Sequence, residues 1–308
     1  MKLAKSSAWQ GVWTALVTPL TRSGGTLKLD EASLRKLIES QIAGGVTGLV
    51  IAGSTGEGSL LPSEVLTDLF AKSRAIAGER IPLVAGLGIG GTEAALRQGT
   101  LAKAAGFDGL LAAPPAYIKP PQRGLIEHFL QVAGIGLPVC LYDIPGRAVA
   151  KIEVASLEKI VNDPRGKNIV ALKDATGDLA KAIHVKRAVG NRIACLSGDD
   201  LTYLPYLACG GDGIISVGSH VAPRALVKLR KDFVEGRLRE AEAAQLKMMP
   251  FFEALFWDSN PIPVKTLLAQ GPLVAEALFC APLSPMDEGA LGRFTTLAKP
   301  LAETGILS

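Results

Sequence analysis

The 308 residues carry 33 Lys plus Arg against 29 Asp plus Glu, a formal net charge of +4, and 48% are hydrophobic. That much apolar surface can offset the entropy of ordering, which excludes a disordered chain. So dilute a positive charge, with Lys and Arg unclustered, is no nucleic-acid footprint. The opening residues MKLAKSSAWQ hold no apolar signal core, and no run of about 18 uncharged apolar residues follows, so a cytoplasmic protein with no membrane partner is expected. The histidines (His128, His184, His220) and cysteines (Cys140, Cys195, Cys209, Cys280) show no CxxC or HxxxH spacing, so neither a metal site nor a disulfide is expected.

Along the chain, eight short apolar runs alternate with longer amphipathic ones. The runs are VWTALVTPL (12–20), TGLVIAG (47–53), PLVAGLG (82–88), DGLLAAPP (108–115), PVCLYDIP (138–145), NIVALKDA (168–175), RIACLSG (192–198) and DGIISVGS (212–219). Each is near-continuously apolar, which suits strands buried on both faces of a parallel sheet. Between them fall helical patterns such as 30–45, 62–78 and 92–106, several closed by Gly. The pattern predicts an α/β fold, a (β/α)8 TIM barrel over 1–234. A doubly wound open sheet is the rival, but no GxGxxG follows the first strand. After 235 the strand signal stops, and 235–308 reads as a C-terminal helical region. Its helices are expected at 237–257, interrupted at Pro250, and at 264–270 and 287–303, the last two separated by the Pro-rich link CAPLSPM.

A barrel of this kind builds its site at the C-terminal ends of the strands. Lys173, in IVALKDAT, is a lone lysine inside a strand pattern with apolar neighbours. Burying an unpaired ammonium favours the neutral amine, and a free lysine at pKa ~10.4 is less than about a thousandth neutral at pH 7. Schiff-base chemistry on a ketone needs that neutral fraction. The other reading is an ion pair with Asp174 or another carboxylate; Asp174 is a poor partner because adjacent strand residues point to opposite faces. In GSTGE (53–57), Ser54 and Glu57 have capping-box spacing, while the turn's hydroxyls and N–H groups also suit a small carboxylate. Tyr117 and Tyr142 fall at strand ends, where a phenol linked by Ser54 could relay protons or simply pack at a core rim. Arg147 offers bidentate recognition of a carboxylate, or an ion pair with Asp143 or Asp174. SGDD (197–200) reads as an N-cap for LTYLPYLA, with Gly198 allowing close approach to its backbone.

Taken in order, VTP (17–19), GSTGE (53–57), Tyr117 in AYIKPP, YDIPGR (142–147), LKDATGD (172–178), SGDD (197–200), GIISV (213–217) and NPIPVK (260–265) resemble the dihydrodipicolinate synthase / N-acetylneuraminate lyase family of class I aldolases. The resemblance spans nearly the whole chain. It implies a pyruvate imine on Lys173 with no cofactor, Tyr142 as proton donor and acceptor, and Ser54 in place of a relay threonine. It further implies that Thr55 and the Ile215 backbone hold the pyruvate carboxylate, that Gly198 lines the pocket, and that Tyr117 completes the relay from a neighbouring subunit of a homotetramer. Arg147 points to the synthase branch, whose arginine binds the carboxylate of L-aspartate 4-semialdehyde in the path to diaminopimelate and lysine. Sialic-acid lyases lack that arginine.

Ala148 and Val149 depart from the small polar residues or glycine that many synthases carry after the arginine. Where lysine-inhibited members carry acidic, amide and aromatic or histidine residues, this chain has Leu66, Gly90, Ala94 and Ala116, so feedback by lysine is expected to be weak or absent. Two other readings stand beside this one. A relative acting on a 2-keto sugar acid or 4-hydroxy-2-oxo acid would also form an imine at Lys173, and a keto-acid-sensing barrel would form no adduct. A metal-dependent aldolase is disfavoured by the lack of clustered His and acidic ligands.

Overall fold

A computed structural model describes residues 2–303. Ten strands occur in it: β1 (Gly11–Ala15), β2 (Leu20–Ser23), β3 (Thr26–Leu29), β4 (Gly48–Ile51), β5 (Leu83–Gly86), β6 (Gly109–Ala112), β7 (Val139–Asp143), β8 (Ile169–Asp174), β9 (Ala194–Ser197) and β10 (Gly213–Ser216). Eight of them form a closed parallel barrel in the order β1-β10-β9-β8-β7-β6-β5-β4. These are the eight apolar runs of the sequence, and every residue in them is buried. Burial on both faces is why their pattern is continuous rather than alternating. By internal packing the chain divides into two units, one running to Gly11 and over Pro82–Ile215, the other over Val12–Ile81 and from Ser216 onward.

The first unit holds β5 to β10 and the helices between them. Strands β7 and β8 pair with Tyr142 opposite Lys173 and Asp143 opposite Asp174, after a register shift at Val139/Cys140. A helix at Leu179–Val189 follows β8, and Asp178 caps it by accepting from the Lys181 N–H (2.9 Å).

The second unit pairs β1 with β4, Trp13 opposite Gly48. A Cβ on Gly48 would lie 2.1 Å from the Trp13 ring, so only glycine admits the indole. The antiparallel hairpin β2–β3, within and after the first apolar run, is absent from the sequence expectations. Its signal is Gly24-Gly25 between two four-residue runs, both glycines at positive φ as a tight two-residue turn requires. Leu27 and Leu29 of the hairpin pack with Leu20, Val65 and Cys280.

The C-terminal helices are Leu238–Ala254, Ile262–Gln270 and Glu288–Glu303. The first runs unbroken through Pro250, against the expected interruption. Pro250 is exposed, as is Leu246, whose carbonyl loses its helical N–H partner to the proline. No described helix is long and apolar enough to cross a membrane.

Fully buried His220, after β10, accepts a hydrogen bond from the Val17 N–H at Nε2 (3.0 Å) and donates from Nδ1 to the Val217 carbonyl (2.7 Å). Those two bonds fix one neutral tautomer. Burial pulls its pKa down to about 4, against a smaller opposing pull from the Val217 carbonyl.

Candidate active site

Within the first unit the site grows from the paired ends of β7 and β8. Side chains alternate along a strand, so the register sets Tyr142 and Lys173 on one face and Asp143 and Asp174 on the other. Lys173 is only 5% exposed, and its Nζ lies 4.2 Å from the centroid of the Tyr142 ring. A cation or a polarised amine is held there by the ring's electron-rich face. Gly198, just past β9, donates its N–H to the Asp174 carbonyl (2.7 Å). A Cβ on Gly198 would meet Lys173 Cε at 3.0 Å and Ala175 Cβ at 2.6 Å. The glycine is therefore required by the close approach of Ala175, with the lysine stem next to it.

The opposite face carries the carboxylates. Asp143 is fully buried, forms a short ion pair with Lys181, and accepts from the Ile152 N–H (3.0 Å). Burial pushes its carboxyl pKa up, Lys181 and the Ile152 N–H oppose this, and Asp174 adds to it. Asp174 Oδ1 accepts from the Thr176 N–H (3.0 Å) and hydroxyl (2.6 Å), which shapes the turn leading into the next helix. Asp174 Oδ1 is thus engaged on the face away from Lys173, and the reading of Asp174 as that lysine's ion-pair partner fails on geometry. Asp143, considered as a partner for Arg147, is instead buried against Lys181.

Four more sequence candidates lie in this unit. Arg147 is exposed in the one-turn helix Pro145–Ala148 that follows β7. Ile215 is buried in β10. Tyr117 is 92% exposed, with its backbone at φ 71°, a left-handed conformation uncommon for a non-glycine residue. In SGDD the Asp199 carboxylate accepts from the Leu201 N–H (3.2 Å) and the Thr202 hydroxyl (2.8 Å). It therefore closes a turn ahead of the helix Tyr203–Ala208, whose first residue follows Thr202, rather than capping that helix directly.

In the second unit the loop after β4 carries Ser54 and Thr55. Ser54 is exposed and Thr55 buried. The capping-box reading is overturned. Residues 54–60 form turns, the next helix starts at Ser63, and Glu57 is buried. Glu57 Oε1 accepts from Lys265 Nζ (2.6 Å), with both side chains fully buried, and Oε2 accepts from the Cys280 N–H (2.7 Å). Burial pulls the Lys265 ammonium pKa down while Glu57 opposes it. Asn260 Nδ2 donates to Thr55 Oγ1 (2.9 Å), and Thr18 donates to the Gly56 carbonyl (2.6 Å). Residue-by-residue reading missed Asn260, Lys265 and the burial of Glu57. The available signal was a lysine inside the otherwise apolar helix IPVKTLLAQ, a position that demands a buried counter-charge.

Comparison with known proteins adds the following. The Dihydrodipicolinate synthetase family matches residues 8–300. The 4-hydroxy-tetrahydrodipicolinate synthase of Bdellovibrio bacteriovorus is 39% identical over 276 residues, covering 89% of this chain and 92% of that protein. The crystal structure of dihydrodipicolinate synthase from Aquifex aeolicus superposes with a TM-score of 0.90 at 33% identity, covering 96% of this chain and 98% of its own. A monomeric dihydrodipicolinate synthase variant superposes with a TM-score of 0.89 at 31% identity, covering 98% of both chains.

Proposed function

The chain belongs to the dihydrodipicolinate synthetase family, and we propose that it condenses pyruvate with L-aspartate 4-semialdehyde, the 4-hydroxy-tetrahydrodipicolinate synthase reaction, as a lyase of class I aldolase type. The observation that carries this reading is Lys173, buried at the end of a barrel strand with its Nζ against the Tyr142 ring and its neighbouring carboxylates on the other face.

In this reading the Lys173 amine adds to C2 of pyruvate, and the hydroxyl leaves as water to give the imine. Loss of a C3 proton gives the enamine, whose carbon attacks the aldehyde carbon of the semialdehyde while the new alkoxide takes up a proton. The amino nitrogen of the semialdehyde then displaces Lys173 at C2, closing the ring and restoring the free amine. Tyr142 moves the protons, with Ser54 and Tyr117 completing the hydroxyl chain. Thr55 and the Ile215 backbone hold the pyruvate carboxylate, Gly198 lines the site, and Arg147 takes the carboxylate of the aldehyde in a bidentate pair.

The high exposure of Tyr117 suits an aromatic offered to a second copy, and a homotetramer belongs to the same proposal. So do cytoplasmic placement, the division into a catalytic barrel (1–234) and a supporting tail (235–308), and insensitivity to lysine at Leu66, Gly90, Ala94 and Ala116. Reduction with borohydride in the presence of pyruvate, followed by peptide mass measurement, tests the reading. The expected result is a pyruvate-derived adduct on the peptide containing Lys173 and turnover of aspartate semialdehyde in preference to keto-sugar acids. An unmodified lysine would remove the proposal.

A further inference from the structure

The loop bearing Thr55 is bent into a conformation uncommon for its non-glycine residues. Ala52 (φ 56°) and Glu57 (φ 57°), both non-glycine, sit in the left-handed region at its two ends. Glycines permit the tight closure between them, since a Cβ on Gly58 would stand 1.8 Å from the Ala52 carbonyl oxygen. Such a bend persists only where the surroundings impose it. Thr18 holds the Gly56 carbonyl, and three further restraints come from 205 to 223 residues further along the chain. Lys265 and the Cys280 N–H hold the two oxygens of the Glu57 carboxylate, and Asn260 holds Thr55 itself.

The direction of the last bond matters. Asn260 donates from Nδ2, so Thr55 Oγ1 is the acceptor, and a hydroxyl has a single hydrogen to give elsewhere. We infer that Asn260 is a positioning residue that orients the Thr55 hydroxyl as a donor toward the substrate carboxylate, with the buried Glu57–Lys265 pair holding the loop that presents it. The inference rests on the reading of Thr55 as the pyruvate-carboxylate contact. It assigns to the C-terminal region a part in pyruvate binding.

Substitutions at Asn260 separate orientation from mere space-filling. Asn260→Asp is isosteric but replaces the donor with an acceptor, which draws the Thr55 hydrogen to itself and sets a negative charge near the bound carboxylate. Asn260→Ala only removes the donor, and Asn260→Ser restores a smaller one. The expected order of KM for pyruvate is wild type, Ser, Ala, Asp, with Ala raised about tenfold, the scale of one hydrogen bond to a charged group, and Asp raised further. KM for the aldehyde should move less than about twofold, because Arg147 rather than Thr55 meets it. In a Thr55→Val background, Asn260→Ala should add nothing. Should Asn260→Asp fail to fold, the Ser-against-Ala comparison carries the test. An Asp variant milder than Ala, Ser no better than Ala, or equal shifts in both KM values would overturn the inference. Failure of the wild-type chain to trap pyruvate with borohydride would instead remove the underlying function.

Discussion

Tyr142 and Lys173 are cross-strand partners on β7 and β8, and the lysine nitrogen sits 4.2 Å from the centre of the tyrosine ring. The ring and its hydroxyl are separable. Tyr142→Phe keeps the aromatic face beneath Nζ and removes only Oη, so borohydride should still trap pyruvate while turnover falls by about 10²- to 10⁴-fold, the range for a lost general acid–base group. Lys173→Ala should abolish the adduct altogether. Normal turnover in the Phe variant would show that the phenol carries no proton.

In the proposed mechanism Arg147 divides the two substrates. It is exposed on the turn after β7, one element removed from the buried amine. Arg147→Ala should leave the pyruvate adduct intact and raise KM for the aldehyde by about one to two orders of magnitude, as expected for a lost bidentate carboxylate pair. Equal loss of the adduct in Arg147→Ala and Lys173→Ala would refute this division of roles.

Gly198 is set by contact rather than by backbone conformation. The added methyl of Gly198→Ala must displace Ala175 or the Lys173 stem, since it would stand 2.6 Å and 3.0 Å from them. Overpacking of this kind destabilises by about 1–3 kcal/mol. The expected outcome is a folded protein with a lowered melting temperature and a trapped-pyruvate yield that falls more than stability alone explains. An unchanged yield would mean that the lysine stem gives way freely.

How much of this was readable beforehand differs by element. The eight barrel strands announced themselves because burial on two faces leaves an unbroken apolar run, and Lys173 stood out as the charge inside one. The hairpin β2–β3 did not, because its residues other than Leu20 are at most partly buried and its short strands merge with the first apolar run. Glu57 was misread because the capping-box spacing is local, whereas its partners Lys265 and Cys280 lie more than 200 residues away. Pro250 misled for the converse reason: the proline rule is local, whereas the helix here runs through it at a place where Pro250 and Leu246 are both exposed. Local signals thus located the strands and the buried lysine, while the restraints that shape the Thr55 loop arise from the fold.

The Glu57–Lys265 pair is completely buried, so removing one partner strands a charge. Lys265→Met is expected to destabilise by about 3–5 kcal/mol, and Glu57→Gln/Lys265→Met by much less than the sum of the single changes, since the isolated charge is then gone. Denaturant unfolding of the four proteins of the cycle measures the coupling. Additive single effects would show that the two side chains do not act as a pair.

His220 gives the chain a pH-dependent stability of defined sign. Folded, it stays neutral down to about pH 4, because burial opposes its charge and outweighs the smaller upward pull of the Val217 carbonyl, and because Nε2 already accepts from the Val17 N–H. Unfolded, it takes a proton near its ordinary pKa of about 6.5. Between those values the unfolded chain binds more protons, so stability must fall as the pH drops from about 6.5 to about 4 and level off below. The shift of roughly 2.5 units corresponds to about 3 kcal/mol. Other groups, Asp143 among them, titrate with their own signs, so the measurement is a difference. Wild type and His220→Gln, whose amide offers one donor and one acceptor but does not ionise, are unfolded by denaturant at intervals from pH 7 to pH 4. The stability gap should shift toward the variant by about 3 kcal/mol across that window. A gap that stays constant would mean that His220 is protonated in the folded chain and that the Val17 contact is not the neutral-imidazole bond described.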